Sequence, residues 1–101
     1  VMGITFKENC PDIRNSRVID VISELKEFGC DITVSDYWAD KDEVQREYNI
    51  DLIHNSKLNI QDYNTIVLAV SHDKYKVLNI KTDKNIVFDI KSILKDSDGK
   101  L

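Results

Sequence analysis

The chain is expected to fold as an α/β domain, three layers built around a mostly parallel sheet. Short apolar runs alternate along it with segments of helical periodicity, the order that strand–helix–strand units require. One run, Thr65-Ile66-Val67-Leu68-Ala69-Val70, is apolar almost throughout, as a strand covered on both faces must be. With one proline and three glycines in 101 residues, nothing resembles a linker, and residues 1–101 read as a single domain.

Val1–Phe6 forms the first apolar run and is expected to be a strand. In Ser16–Phe28, apolar Val18, Ile19, Val21, Ile22, Leu25 and Phe28 fall on one stripe at helical spacing. Asn15 or Ser16 suits the cap at the start of that helix, and Gly29 suits the left-handed position past its end. Asp31–Asp36 follows as a strand with Ile32 and Val34 on one face. Asp40 with Glu43 has the spacing of a capping box, opening a helix to about Tyr48. Leu52-Ile53 gives a short strand, and Ser56–Tyr63 a connection or one helical turn. After the strand Thr65–Val70, His72–Leu78 is expected to start a short helix. Asn85–Asp89 is the last strand, followed by Ile93-Leu94 and a polar tail, Lys95–Leu101. Right-handed crossovers would place helices on both faces of the sheet.

Charge and composition narrow the function. Lys+Arg 14 against Asp+Glu 18 leaves a net charge of −4, which argues against a nucleic-acid partner, where a basic face is the rule. No apolar run has the length of a membrane span, and no secretory signal opens the chain. The chain opens inside a strand-like run, so further residues are expected before Val1. Cys10 and Cys30 lack the spacing of a metal site, and His54 and His72 lack ligand-type neighbours. Cys30 is expected to be a buried structural thiol; Cys10, a loop thiol beside Pro11 with no evident base, reads as structural rather than nucleophilic.

The informative stretch is the loop after the first strand. In an open α/β sheet, ligands bind at the carboxyl ends of the strands, where a helix N-terminus offers free N–H groups to an anion. Lys7 and Arg14 add positive charge there, Arg14 with a planar fork suited to phosphate or carboxylate. The loop therefore reads as an anion-binding corner. It lacks the G-x-G-x-x-G fingerprint of a dinucleotide site, carrying Cys10-Pro11-Asp12 where close backbone approach is needed. That rules out reading Asp36 as a ribose-binding acid, and Trp38 reads as a packing residue.

Gly3-Ile4-Thr5-Phe6-Lys7-Glu8-Asn9-Cys10-Pro11-Asp12-Ile13-Arg14-Asn15 resembles the opening of the C-terminal domain of the UDP-glucose/GDP-mannose dehydrogenase family. The resemblance is closest to bacterial enzymes that oxidise UDP-N-acetylhexosamines for surface polysaccharides. It continues through Asp36-Tyr37-Trp38-Ala39-Asp40, where Tyr37 replaces the family's usual proline, and through Ile66–His72 and Val87-Phe88-Asp89, covering nearly the whole chain.

The resemblance implies a Rossmann-like, five-stranded sheet in the order 3-2-1-4-5. Its switch point lies between the first strand and Thr65–Val70, bringing Lys7, Arg14, Ser71 and His72 around one crevice. It implies that Phe6 and Lys7 meet the nucleotide-sugar substrate, that Lys91 lies near a basic substrate-contacting position, and that Arg14 reaches towards NAD. His72 is expected to line the crevice with no direct role. The complete enzyme would be a cytoplasmic, homo-oligomeric, NAD-dependent 6-dehydrogenase that makes UDP-hexuronic acids through a cysteine-linked intermediate. Its NAD-binding and central catalytic regions would be the UDP-sugar domain's own partners within the parent chain, and the present chain alone would be inactive. The competing reading is a stand-alone flavodoxin-like regulatory or protein-interaction module. A phosphorelay receiver, with Asp36 and Asp89 at strand ends, is disfavoured by the absence of an acidic pair after the first strand. A small independent enzyme lacks a credible nucleophile–base pair.

Overall fold

The computed structural model describes residues 1–100; Leu101, the end of the expected domain and polar tail, lies outside the described residues. Strands β1 (Val34–Asp36) and β2 (Leu52–His54) pair in parallel, with Val34 opposite Leu52. Strands β3 (Thr65–Leu68), β4 (Ile86–Asp89) and β5 (Gly99–Lys100) form a second parallel group. Met2 joins the two groups through parallel bridges to Ser35 and to Leu68. Its N–H donates to the Val67 carbonyl at 2.8 Å, and its carbonyl accepts from the Ala69 N–H at 2.9 Å. On the other side, the Gly3 N–H donates to the Ser35 carbonyl at 2.8 Å. The spatial order is therefore β2, β1, the Met2 segment, β3, β4, β5. Counting the Met2 segment as the first strand, this is the expected 3-2-1-4-5, with β5 added outside it.

The first strand is far shorter than Val1–Phe6. Gly3 adopts φ +100°, and a Cβ there would stand 2.6 Å from the Val70 Cβ, so only glycine lets the backbone lie this close to Val70. Beyond it the Ile4 N–H leaves the ladder and donates to the Asp36 carboxylate at 2.7 Å. Pairing ends because a side chain has replaced the next backbone acceptor.

Helix α1 (Val18–Glu27) starts two residues later than expected, since Asn15 sits at φ +58° and Arg17 occupies the cap position without a side-chain cap bond. Neither Asn15 nor Ser16 caps it. Its end follows the sequence: Gly29 takes φ +85°, and the Gly29 and Cys30 N–H groups close on Lys26 and Leu25. The turn leaves Phe28 and Cys30 exposed, so Cys30 is not the expected buried thiol, and the strand begins only at Val34. Helix α2 (Lys41–Tyr48) is capped as expected, with Asp40 accepting from the Asp42 and Glu43 N–H groups, and Asn49 at φ +56° ends it.

The two faces of the sheet are covered differently. Val18, Ile22 and Val44 from the helices pack with Val34, Leu52, Ile4, Ile13 and Val70 in one cluster. Met2, Ile66, Leu68 and Val87 pack on the other side with Tyr75 and Ile80. That second cover is made from 3-10 turns at Asn55–Lys57, Ile60–Asp62 and Asp73–Val77 rather than from α-helices. The expected helix after His72 is the last of these.

Candidate functional site

The loop from Thr5 to Arg17 is anchored at several points. The Phe6 N–H donates to the Asp12 carbonyl at 2.7 Å, closing the loop on itself. Ile13 is buried in the helix-side core, and its carbonyl accepts from the Tyr48 hydroxyl on α2. The Thr5 hydroxyl donates to the Lys7 carbonyl at 2.9 Å.

This anchoring brings Phe6, Lys7 and Lys91 to one cavity of about 290 Å³. Its apolar wall comes from Val18, Val21, Ala69, Val70 and Ile90, and Arg17 and Glu8 also line it. Phe6 is 56% exposed, so it belongs to the cavity rather than to the core. Lys7 and Lys91 enter no ion pair among the described residues. Lys91 is placed by Asp89, a fully buried residue whose Oδ1 accepts the Lys91 N–H at 3.1 Å and whose Oδ2 accepts the Leu94 N–H at 2.7 Å. The uncapped N-terminus of α1 opens beside the same cavity at Arg17 and Val18. Free helix N–H groups and lysine ammonium groups at the carboxyl ends of parallel strands suit a phosphate, and the Phe6 ring and apolar wall suit the flat or apolar part of its carrier.

Arg14 and Ser71 are not among the residues lining this cavity. The Arg14 guanidinium is 83% exposed and grips Asp12 in a bidentate pair at 3.0 and 3.1 Å. The pairing holds the Asp12 carboxyl below its ordinary range.

His72 was expected as a crevice-lining loop residue and is instead fully buried beneath the loop. Its Nε2 lies 3.1 Å from Asp36 Oδ2 and 3.2 Å from Thr5 Oγ1, and its Nδ1 accepts the Asn9 N–H at 2.9 Å. Asp36 also accepts N–H groups from Ile4, Trp38 and Ala39. Burial pushes the Asp36 carboxyl upward, but the bonds from His72, Trp38 and Ile4 outweigh it and hold it below the ordinary range. Trp38 lies half exposed with its ring centroid 6.4 Å from that of His72. Thr5, Asn9 and Asp36 were missed as contributors to the site. Their positions along the chain show no local pattern, and only the pairing of Met2 with β1 and β3 brings them together.

A larger cavity of about 400 Å³ sits at the opposite, N-terminal end of the strands, where Val1, Thr33 and Thr65 lie near the starts of the central ones. Asp31 carries the one charged side chain among its described lining residues, and none of those side chains is a cation to meet an anionic ligand. The smaller cavity is the candidate site because it lies where strand ends, cations and a helix N-terminus converge. A dinucleotide does not fit this loop: its nearest glycine, Gly3, has its close-approach space filled by Val70.

Residues 1–96 match the UDP binding domain of the UDP-glucose/GDP-mannose dehydrogenase family. The chain is 44% identical to Protein CapL of Staphylococcus aureus, with 97% of this chain aligned to 24% of that protein. It is 40% identical to a UDP-N-acetyl-D-glucosamine 6-dehydrogenase of Salmonella typhi, over 100% of this chain and 25% of the other. The chain thus spans about a quarter of these relatives' length. In fold it is similar to a GDP-mannose dehydrogenase from Pseudomonas aeruginosa solved as a ternary complex (TM-score 0.73, 15% identity, 94% of this chain and 24% of that one). It is also similar to a UDP-glucose dehydrogenase from Pyrobaculum islandicum (TM-score 0.72, 22% identity, 87% and 20%). The anion-suited cavity, the parallel sheet order and a match over almost every residue agree: the chain belongs to the UDP-glucose/GDP-mannose dehydrogenase family, as its UDP binding domain.

Proposed function

We propose that this domain binds the nucleotide-sugar substrate of an NAD-dependent UDP-sugar 6-dehydrogenase that makes UDP-hexuronic acids for capsule or O-antigen polysaccharide. The observation that carries the reading is the meeting of Phe6, Lys7 and Lys91 at one cavity, although Lys91 lies more than eighty residues from the others. In this reading Lys7 and Lys91 hold the negatively charged part of the substrate, Phe6 packs against it, and Arg14 reaches across the interdomain cleft to NAD. NAD supplies the oxidising equivalent and is bound mainly by another domain of the parent. The catalytic nucleophile also lies outside this chain, so the chain alone turns nothing over. The parent is a cytoplasmic homo-oligomer. No helix among the described residues is long and apolar enough to cross a membrane. Against the alternative of a phosphorelay-type module, the oxygens of Asp36 and Asp89 are taken by N–H donors and do not stand open for phosphoryl transfer.

Kinetics of the full-length enzyme with each substrate varied separately test this. Lys7→Ala removes a charge-assisted contact worth roughly 1.5–3 kcal/mol, so KM for the UDP-sugar is expected to rise by one to two orders of magnitude. Arg14→Ala is expected to act on the NAD parameters instead. Equal and negligible effects of both substitutions would reduce the loop to a folding element.

A further inference from the structure

We propose that His72, held as the Nε2–H tautomer, is the positioning residue of the nucleotide-sugar site, clasping the Phe6–Asn9 loop so that Phe6 and Lys7 stand at the cavity. This rests on the reading of that cavity given above. The tautomer follows from the bonding. The Asn9 N–H can only donate, so Nδ1, 2.9 Å away, presents a lone pair and the ring proton sits on Nε2. Nε2 in turn faces Asp36 Oδ2 at 3.1 Å and Thr5 Oγ1 at 3.2 Å. The Thr5 hydroxyl proton is directed to the Lys7 carbonyl at 2.9 Å, so Oγ1 receives from the ring rather than giving to it.

The clasp is double. The Asn9 side-chain oxygen accepts the Asp73 N–H at 3.0 Å, so backbone and side chain of one loop residue both grip the His72-Asp73 pair. Lys7 is thereby bracketed, with its own carbonyl held by Thr5 and the residue two positions on held by His72. His72 is fully buried and is not among the cavity-lining residues, so it acts on the substrate only through this loop. A purely space-filling role would not use both ring nitrogens on the loop and on the carboxylate at the end of β1. Asp36 fixes the ring from behind, and the ring fixes the loop in front.

The test uses the full-length enzyme, with nucleotide sugar and NAD varied separately. In His72→Asn the carboxamide oxygen can take the place of Nδ1 and keep the Asn9 N–H satisfied. In His72→Gln the longer amide can reach Asp36 but leaves the Asn9 N–H without its acceptor. His72→Gln is expected to raise KM for the nucleotide sugar roughly tenfold with little change in KM for NAD, and His72→Asn to recover most of that loss. Asn9→Gly, at an exposed residue whose φ of +54° glycine tolerates, releases the Asp73 half of the clasp and is expected to raise the same KM. It carries the test if a His72 variant fails to fold. The nitrogen-15 spectrum of the wild-type imidazole is expected to show an unprotonated Nδ1. A protonated Nδ1, identical kinetics for His72→Gln and His72→Asn, or an Asn9→Gly enzyme with unaltered KM would each overturn the proposal. Lys7→Ala in the same assay separates the two ideas. If it raises KM while the His72 and Asn9 variants do not, only the positioning role fails; if it too has no effect, the reading of the cavity itself fails.

Discussion

Replacing Asp36 with asparagine should cost this domain a large part of its stability. Asp36 is buried at the end of β1 and accepts N–H groups from Ile4 at 2.7 Å, Trp38 at 2.6 Å and Ala39 at 3.1 Å, with His72 Nε2 at 3.1 Å. The carboxylate presents two acceptor oxygens, one towards Ile4 and His72 and the other towards Trp38 and Ala39. An amide has one acceptor oxygen, so whichever way it turns, its NH2 faces N–H donors. A buried donor left without a partner costs about 1–3 kcal/mol, and at least one, together with the lost charge, gives an expected loss of about 3–5 kcal/mol. For a domain of this size that lowers Tm by more than about 10 °C. Urea unfolding followed by the fluorescence of Trp38, the chain's one tryptophan, reads the change directly. The same carboxylate sets a pH dependence. Its folded pKa is depressed below the ordinary 3.8, so its stabilisation is complete above that value and drains away as pH falls through the lower folded value. Asp36→Asn should flatten that acid limb. A loss below about 1 kcal/mol, with the acid limb intact, would refute the claim that Asp36 is the charged hub joining the first loop to the sheet.

Three further outcomes follow from the same geometry. Gly3→Ala, which forces a Cβ to 2.6 Å from Val70 at φ +100°, should destabilise by more than about 2 kcal/mol in thermal or urea unfolding. Ser35→Ala should lie between no change and a gain of about 1 kcal/mol, because the buried Ser35 hydroxyl has no hydrogen-bond partner among the described residues. The purified chain should not reduce NAD with any UDP-sugar; turnover abolished by Cys10→Ala would place a nucleophile in this domain and contradict the division of labour proposed above.

Much of the fold was legible because it rests on local chemistry. The Asp40 cap, the left-handed Gly29 and the apolar run from Thr65 each depend on a few adjacent residues, and each appears where the sequence places it. Failures arose where distant residues decide. The first strand shrinks to Met2 because the Ile4 N–H finds a carboxylate from residue 36, and β5 pairs with β4 although Gly99-Lys100 has no strand-like pattern. Cys30 is exposed because the turn at Gly29 delays the next strand to Val34. For the candidate site, the charges of the first loop pointed to Lys7 and Arg14, and the resemblance added Phe6 and Lys91; Arg14 is not among the residues lining the cavity. His72 was misjudged because an isolated histidine after a strand carries no sign of its burial. Its three partners come from residues 5, 9 and 36, which only the sheet order assembles.

The central claim is that the cavity bounded by Phe6, Lys7 and Lys91 receives the nucleotide sugar. A crystal structure of the full-length enzyme with a UDP-sugar bound tests it most directly. The account predicts the nucleotide sugar in that cavity, with the Lys7 ammonium within hydrogen-bond distance of it and Phe6 packed against it. A nucleotide sugar bound without contact to Phe6, Lys7 or Lys91, for instance in the cavity beside Val1 and Thr65, would contradict it.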